Sequence, residues 1–147
     1  MNVESLDLLG AITAIAIFGS SILTFTARLV FGVGAGHWVG IPTLLAAIPL
    51  AYLLLTAPGA GRPFLYYVQV GVMLAWIVLL FVLDYWLGIP WREERWQLIS
   101  YVTLYFGGLG GMVGISFLAG RGWGTAAAIL FFVAGTLAFV QRAVTGV

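Results

Sequence analysis

Long apolar runs separated by short polar links set the pattern of this chain. The first run extends from Leu8 to Ala27 and stops at Arg28. A bilayer core about 30 Å thick needs roughly 20 helical residues at ~1.5 Å each. Five segments approach or reach that length: about 8–31, 41–57, 64–87, 96–119 and 123–141. Between them lie a glycine-rich link, GVGAGHWVG (32–40), and a proline-flanked turn, PGAGRP (58–63). The polar loop GIPWREER (88–95) and the turn GRGWG (120–124) complete the connections. Transmembrane strands would alternate polar and apolar residues over short segments, and these runs do not. The pattern predicts an all-α integral membrane protein, a compact single-domain bundle of five transmembrane helices. The second segment is the shortest and carries Pro42 and Pro49. Four full spans plus a re-entrant or kinked second segment is therefore the alternative. Pro49 removes one backbone donor and frees the Leu45 carbonyl, which predicts a kink that could open a pocket.

Composition strengthens the membrane reading. The 147 residues are 63% hydrophobic and 7% charged, against about 25% charged in an average soluble domain. Eleven acids and bases could not cover a soluble globule of this size. A net charge of +1 offers no field for nucleic acid. Without cysteine there is no disulfide and no thiolate metal site, and with His37 as the single histidine no bis-histidine haem fits within one copy. No cofactor is expected. The amino terminus carries Glu4 and Asp7 where a secretory signal would be positive, so the first run reads as a retained span.

Arginine distribution gives an orientation, since lysine is absent. Arg28, Arg92, Arg95 and Arg142 follow spans one, three and five, whereas Arg62 and Arg121 lie on the other side. That bias predicts a cytoplasmic (inner) membrane protein with its N-terminus outside and its C-terminus in the cytoplasm. Five of the six tryptophans fall near span ends, as interfacial indoles do, and Trp76 alone is mid-span.

Few positions could carry chemistry. Arg28 and Asp84 each end an apolar run, and parallel spans one and three place them at similar depth. They mark the membrane boundary or form an ion pair just inside it. Thr13, Ser20, Ser21, Thr24 and Arg28 recur at helical spacing on span one, as do Gln69, Met73, Trp76 and Asp84 on span three. These two weakly polar faces could form a packed seam, or line a polar pathway through Arg28, Asp84, Gln69, Trp76, Ser21 and Thr24. Serine and threonine in such helices also bond their own backbone at i−4. His37, Asp84, Glu93 and Glu94 share one side of the membrane, but no metal-ligand spacing joins them.

The stretch YFGGLGGMVG (105–114) lacks both the spacing and the flanks of a nucleotide loop. Gly107 with Gly111, and Gly110 with Gly114, are G-x-x-x-G pairs that permit close helix approach, and Gly124 and Ala128 offer small matching residues on span five. Packing on span five or span one within the chain is expected first, and a subunit interface second. No family signature appears. The cysteines of disulfide-handling membrane oxidoreductases and the paired-proline and tryptophan loop motifs of tryptophan-rich translocators are both missing.

Three functions follow from these features. The first is non-catalytic helix–helix association, as an accessory subunit or a homo-oligomer, with membrane lipid and a membrane-protein partner or second copy as its contacts. The second is binding or transport of a small solute, proton or lipid along the polar seam of spans one and three, or at the Pro49 kink. A lipid-headgroup enzyme using His37 and nearby carboxylates ranks last, because no nucleophile–base spacing is present.

Overall fold

The computed structural model describes residues 2–88 and 94–146. The described residues form an all-α bundle with five helical crossings, each long and apolar enough to span a membrane. Helix α1 (Val3–Phe31) is the first crossing. It starts five residues before the apolar run because Asn2 caps it, accepting the Ser5 N–H at 2.9 Å, with Glu4 in the first turn.

Three short helices make the second crossing: α2 (Val33–Val39), α3 (Ile41–Leu45) and α4 (Ala47–Thr56). Residues 34–39, expected as a link, are helical. In hydrocarbon an unpaired peptide group costs several kcal/mol, so a glycine-rich stretch without proline is more stable as helix than as coil. The breaks at Gly40 and Ala46 follow from the prolines. Pro42 and Pro49 cannot donate to the carbonyls of Trp38 and Leu45. Thr43 N–H and Ala46 N–H turn instead to carbonyls three residues back, on Gly40 and Thr43. The ladder resumes when Leu50 N–H reaches the Ala46 carbonyl at 3.2 Å. The kinked second segment and the five-helix bundle are thus the same structure.

The following turn ends in a Schellman arrangement. Arg62 N–H reaches back to the Ala57 carbonyl and Gly61 N–H to the Pro58 carbonyl, with Gly61 at φ +62°. Helix α5 (Phe64–Leu80) makes the third crossing and runs into a π-helical turn over Phe81–Trp86. Helices α6 (Arg95–Leu118) and α7 (Arg121–Thr145) complete the bundle. Helix α7 extends beyond the expected 123–141 at both ends.

Helix α1 packs on α7, α6, α2 and α4, while α5 packs on α6 and α4. Helices α1 and α5 are not close-packed neighbours, so the expected seam between spans one and three does not exist as a packed interface. The central core is dry: Phe18, Ile17, Met73, Ile77, Leu109 and Met112 are fully buried. The outer surface is oily, with Leu55 at 81% and Phe64 at 82% exposure. Exposed apolar area on this scale belongs against lipid. The chain is a membrane protein. Trp38, Trp86 and Trp96 lie exposed near crossing ends, whereas Trp76 is buried.

Gly108, Gly111 and Gly114 of α6 face α5, not α7 or α1. A Cβ on Gly108 would stand 3.0 Å from Met73 Cα, and one on Gly111 would stand 3.0 Å from Gln69 Cα. Backbone meets backbone along this seam. Gly114 abuts the Gln69 amide, Gly107 meets Val72 at ordinary distance, and Gly110 opens onto empty space. Of the glycines expected to pack, Gly111 and Gly114 do so, but on α5 and not on span five or span one; Gly108 joins them, and Gly110 meets nothing. Gly124 is filled by Phe117 of the preceding helix, and Ala128 is half-buried beside the inward-facing Ala127.

Candidate functional site

One end of the bundle does not close. There the ends of α1, α5 and α7 meet the starts of α2 and α6 around a cavity of about 120 Å³. Ser21, Thr24 and Arg28 line it from α1, and Trp76, Asp84 and Tyr85 from the third crossing. Tyr101 and Tyr105 of α6, His37 and Thr43 of the second crossing, and Gln141 and Arg142 of α7 complete the wall. Five sequence candidates, Arg28, Asp84, Trp76, Ser21 and Thr24, thus share one space. Gln69 does not: it lies about two turns away, against the α6 glycines. Pro49 does not either, because the cavity adjoins the break at Gly40.

Two backbone irregularities shape the rim. The π turn lets Leu87 N–H bond the Val82 carbonyl at 2.9 Å, widening the helix where Asp84 and Tyr85 project. Tyr85 reaches across to the second crossing, where its hydroxyl donates to the His37 carbonyl. Its ring stacks on the His37 ring at 4.3 Å and 28°. Helix α2 accepts these neighbours through its glycines. A Cβ on Gly40 would meet the Tyr85 hydroxyl at 2.8 Å, and one on Gly36 would collide with the Arg28 side chain. The spacing Gly36-x-x-x-Gly40 was the available signal for this contact, and reading the stretch as a link hid it.

The hydroxyls divide between local and long-range bonds. Thr13 and Thr24 donate to carbonyls four residues back, on Leu9 and Ser20, at 2.7 and 2.8 Å. Ser20 instead bonds Thr43, tying α1 to α3 under the cavity wall.

Aromatic rings form the deep end. Trp76 stands 4.9 Å from Tyr105 and 5.8 Å from Tyr101 between ring centroids, and Phe25 meets Tyr105 edge-on at 6.1 Å. Trp76 and Tyr105 are 4% and 5% exposed. Among the described residues, the Trp76 Nε1–H has no hydrogen-bond partner. Ser21 of α1 is the hydrogen-bonding neighbour of the Tyr105 side chain. A buried donor left unsatisfied costs about 1–3 kcal/mol. The Trp76 indole is such a donor, buried in the aromatic cluster behind the cavity.

No known family matches. Comparison of the chain with protein-family models, with curated proteins and with solved structures finds no match in any of the three. The site therefore has to be read from its own chemistry. Among the described residues no three of His, Asp and Glu gather as metal ligands would. Glu93 and Arg92, half of the charged loop, fall outside the described residues.

The cavity is blind. One turn deeper, Phe18, Met73, Leu109 and Met112 seal the bundle. At the far end, Arg62 pairs with Asp7, donates to the Val3 carbonyl at 3.5 Å and covers the Tyr66 ring at 5.1 Å. This second charged group joins the α4–α5 turn to the start of α1, beside an open recess lined by Asn2, Val3, Leu6, Tyr52, Thr56 and Ala60.

Proposed function

We propose that the protein binds a small, largely apolar molecule in the cavity at one end of its bundle, as a membrane-embedded binding protein without catalysis. The cavity itself, with Phe25, Trp76, Tyr101 and Tyr105 in its wall and Arg28 and Asp84 in its lining, carries this reading. A site lined mostly by apolar surface, with a few placed polar groups, is the ordinary form of a ligand pocket. The sealed core beneath it favours binding over conduction, since a solute path would need a polar lining on both sides of the bilayer centre. Association through glycine faces, the first expectation from sequence, loses support because Gly108, Gly111 and Gly124 are occupied within the chain. Contact with a partner or second copy is left to the outward Gly107 and Gly110.

Ala138 lines the cavity from α7 and is small enough to be replaced by a plug. The variant Ala138→Trp is expected to fold and to lose whatever lipophilic molecule co-purifies with the native protein. Mass spectrometry of extracts from both proteins checks this. Equal retention by the two would remove the pocket reading.

The cavity end carries Arg28, Arg95 and Arg142, against Arg62 and Arg121 at the other, a bias that favours the cytoplasmic side of an inner membrane for it. The chain has no cysteine, so single introduced cysteines report sidedness cleanly. A cysteine at Thr145 is expected to react with an impermeant maleimide only after cells are opened, and one at Gly59 in intact cells. The reverse pattern would invert the orientation.

A further inference from the structure

The mouth of the cavity lies between the π turn on one side and α2 on the other. Resting on the pocket reading above, we propose that Tyr85 is a latch across this mouth, and that the π turn carrying it releases it to admit the ligand. The gap it spans comes first. Among the described residues, α2 packs on α1 and α3 but not on the third crossing, and the π turn has no close-packed neighbour beyond α5, which it continues. Side chains therefore close this side of the mouth, and Tyr85 reaches across it to His37.

The far side is shaped to receive the phenol. The His37 carbonyl lies in the last turn of α2, where helix carbonyls run short of intrahelical donors, and the Tyr85 hydroxyl supplies one. The tip of the ring sits 2.8 Å from where a Gly40 Cβ would stand. Gly36, one turn earlier on the same face, makes room for the Arg28 side chain in the same way. The near side is shaped to let go. No residue of Phe81–Trp86 is buried, and segments with few buried contacts open at low cost. A π turn holds one residue more than an α turn, and π turns recur at functional sites. Converting this one to α geometry turns Tyr85 about α5 by up to one residue's step, about 100°, which carries the ring off Gly40. The backbone stays helical in both forms, so the movement exposes no peptide group to hydrocarbon. Two hydrogen-bonded arrangements of one short segment thus give the mouth a closed and an open state.

The test places single cysteines in the full chain, which has none, in lipid nanodiscs. Ser21→Cys puts a thiol on the cavity wall, at a position 5% exposed. Methyl and benzyl methanethiosulfonate modify it by the same chemistry and differ by one ring, and mass spectrometry reads both rates relative to those at the exposed Gly59→Cys. With the latch intact, the methyl reagent is expected to react readily and the benzyl reagent slowly. Tyr85→Phe keeps the ring stack and loses the bond to the His37 carbonyl, and Gly40→Ala keeps the tyrosine and displaces its tip. Each should raise the benzyl rate roughly three- to tenfold and leave the methyl rate nearly unchanged. Tyr85→Ala should raise the benzyl rate further. A thiol at the fully buried Ala14 should stay unreactive in every background. A rise with Tyr85→Ala alone makes Tyr85 a fixed wall, and a matching rise at Ala14→Cys makes the effect a loosened bundle. Either result overturns the latch. If a co-purifying molecule is lost on Ala138→Trp while the benzyl rate stays at its native value in all the latch variants, the pocket stands and the latch falls. If neither reagent reaches Ser21→Cys in any background, both fall.

Discussion

The double variant Gly108→Leu/Gly111→Leu is expected to lose about 4 kcal/mol of folding stability in mild detergent, through separation of α5 from α6. In lipid no hydrophobic force draws helices together, so close backbone contact supplies the association. At these positions a Cβ alone would press to 3.0 Å on the Cα atoms of Met73 and Gln69. Backbone cannot rotate aside as a side chain can, so the helices must move apart along the whole seam. Overpacking costs about 1–3 kcal/mol per site, and two sites on one seam make about 4 kcal/mol a reasonable sum. A membrane bundle with a margin of about 5–15 kcal/mol would be left near its limit. The unfolding midpoint in SDS titration, followed by circular dichroism, measures the loss.

The paired control is Gly107→Leu/Gly110→Leu. Gly110 has nothing within 4 Å of its would-be Cβ, and Gly107 has only Val72 at 3.6 Å. This variant should melt within about 0.5 kcal/mol of the native protein, as surface changes do. It also separates folding from assembly. If the control folds normally but the native mass in detergent falls from oligomer to monomer, the outward glycines form an interface between copies. If both double variants melt alike, the assignment of the α6 stripe to α5 is wrong.

The crossings were legible because hydrocarbon demands about 20 apolar residues per helix, and sequence length reports that directly. Helix ends were less so. Asn2, a cap, starts α1 outside its apolar run, and Gly34–Val39 looked like a link because glycine has low helix propensity in water, a scale that does not govern lipid. Within the site, Arg28 with Asp84 and Ser21 with Trp76 were legible through depth and helical spacing. Both signals are local to one helix. Tyr85, Tyr101, Tyr105 and Gln141 were not, because their membership depends on which helices meet, and on a π turn with no sequence signature here. Gln69 shows the converse error. It shares a face with Trp76, but two turns away that face is closed by Gly111 and Gly114, so the cavity cannot extend to it.

Replacing Asp7 with asparagine is the second change expected to act strongly, and it lies at the end of the bundle opposite the cavity. Asp7 and Arg62 form an ion pair whose side chains are 13% and 10% exposed. Removing one partner from a buried pair costs about 3–5 kcal/mol, because the remaining charge stays desolvated. Here water and headgroups lie close to the turn, and Arg62 keeps the Val3 carbonyl and the Tyr66 face. The expected loss is therefore smaller, about 2 kcal/mol. It should appear as a lower unfolding midpoint and faster proteolysis at the 58–63 turn. The double replacement Asp7→Leu/Arg62→Leu leaves no charge stranded and should recover most of the loss, as apolar substitutes for buried pairs do. If the double variant were no better than Asp7→Asn, the pair would be contributing attraction beyond its desolvation cost. If Asp7→Asn melted like the native protein, the pair would be solvated at the membrane surface, and the α1–α4 end would be held by apolar packing alone.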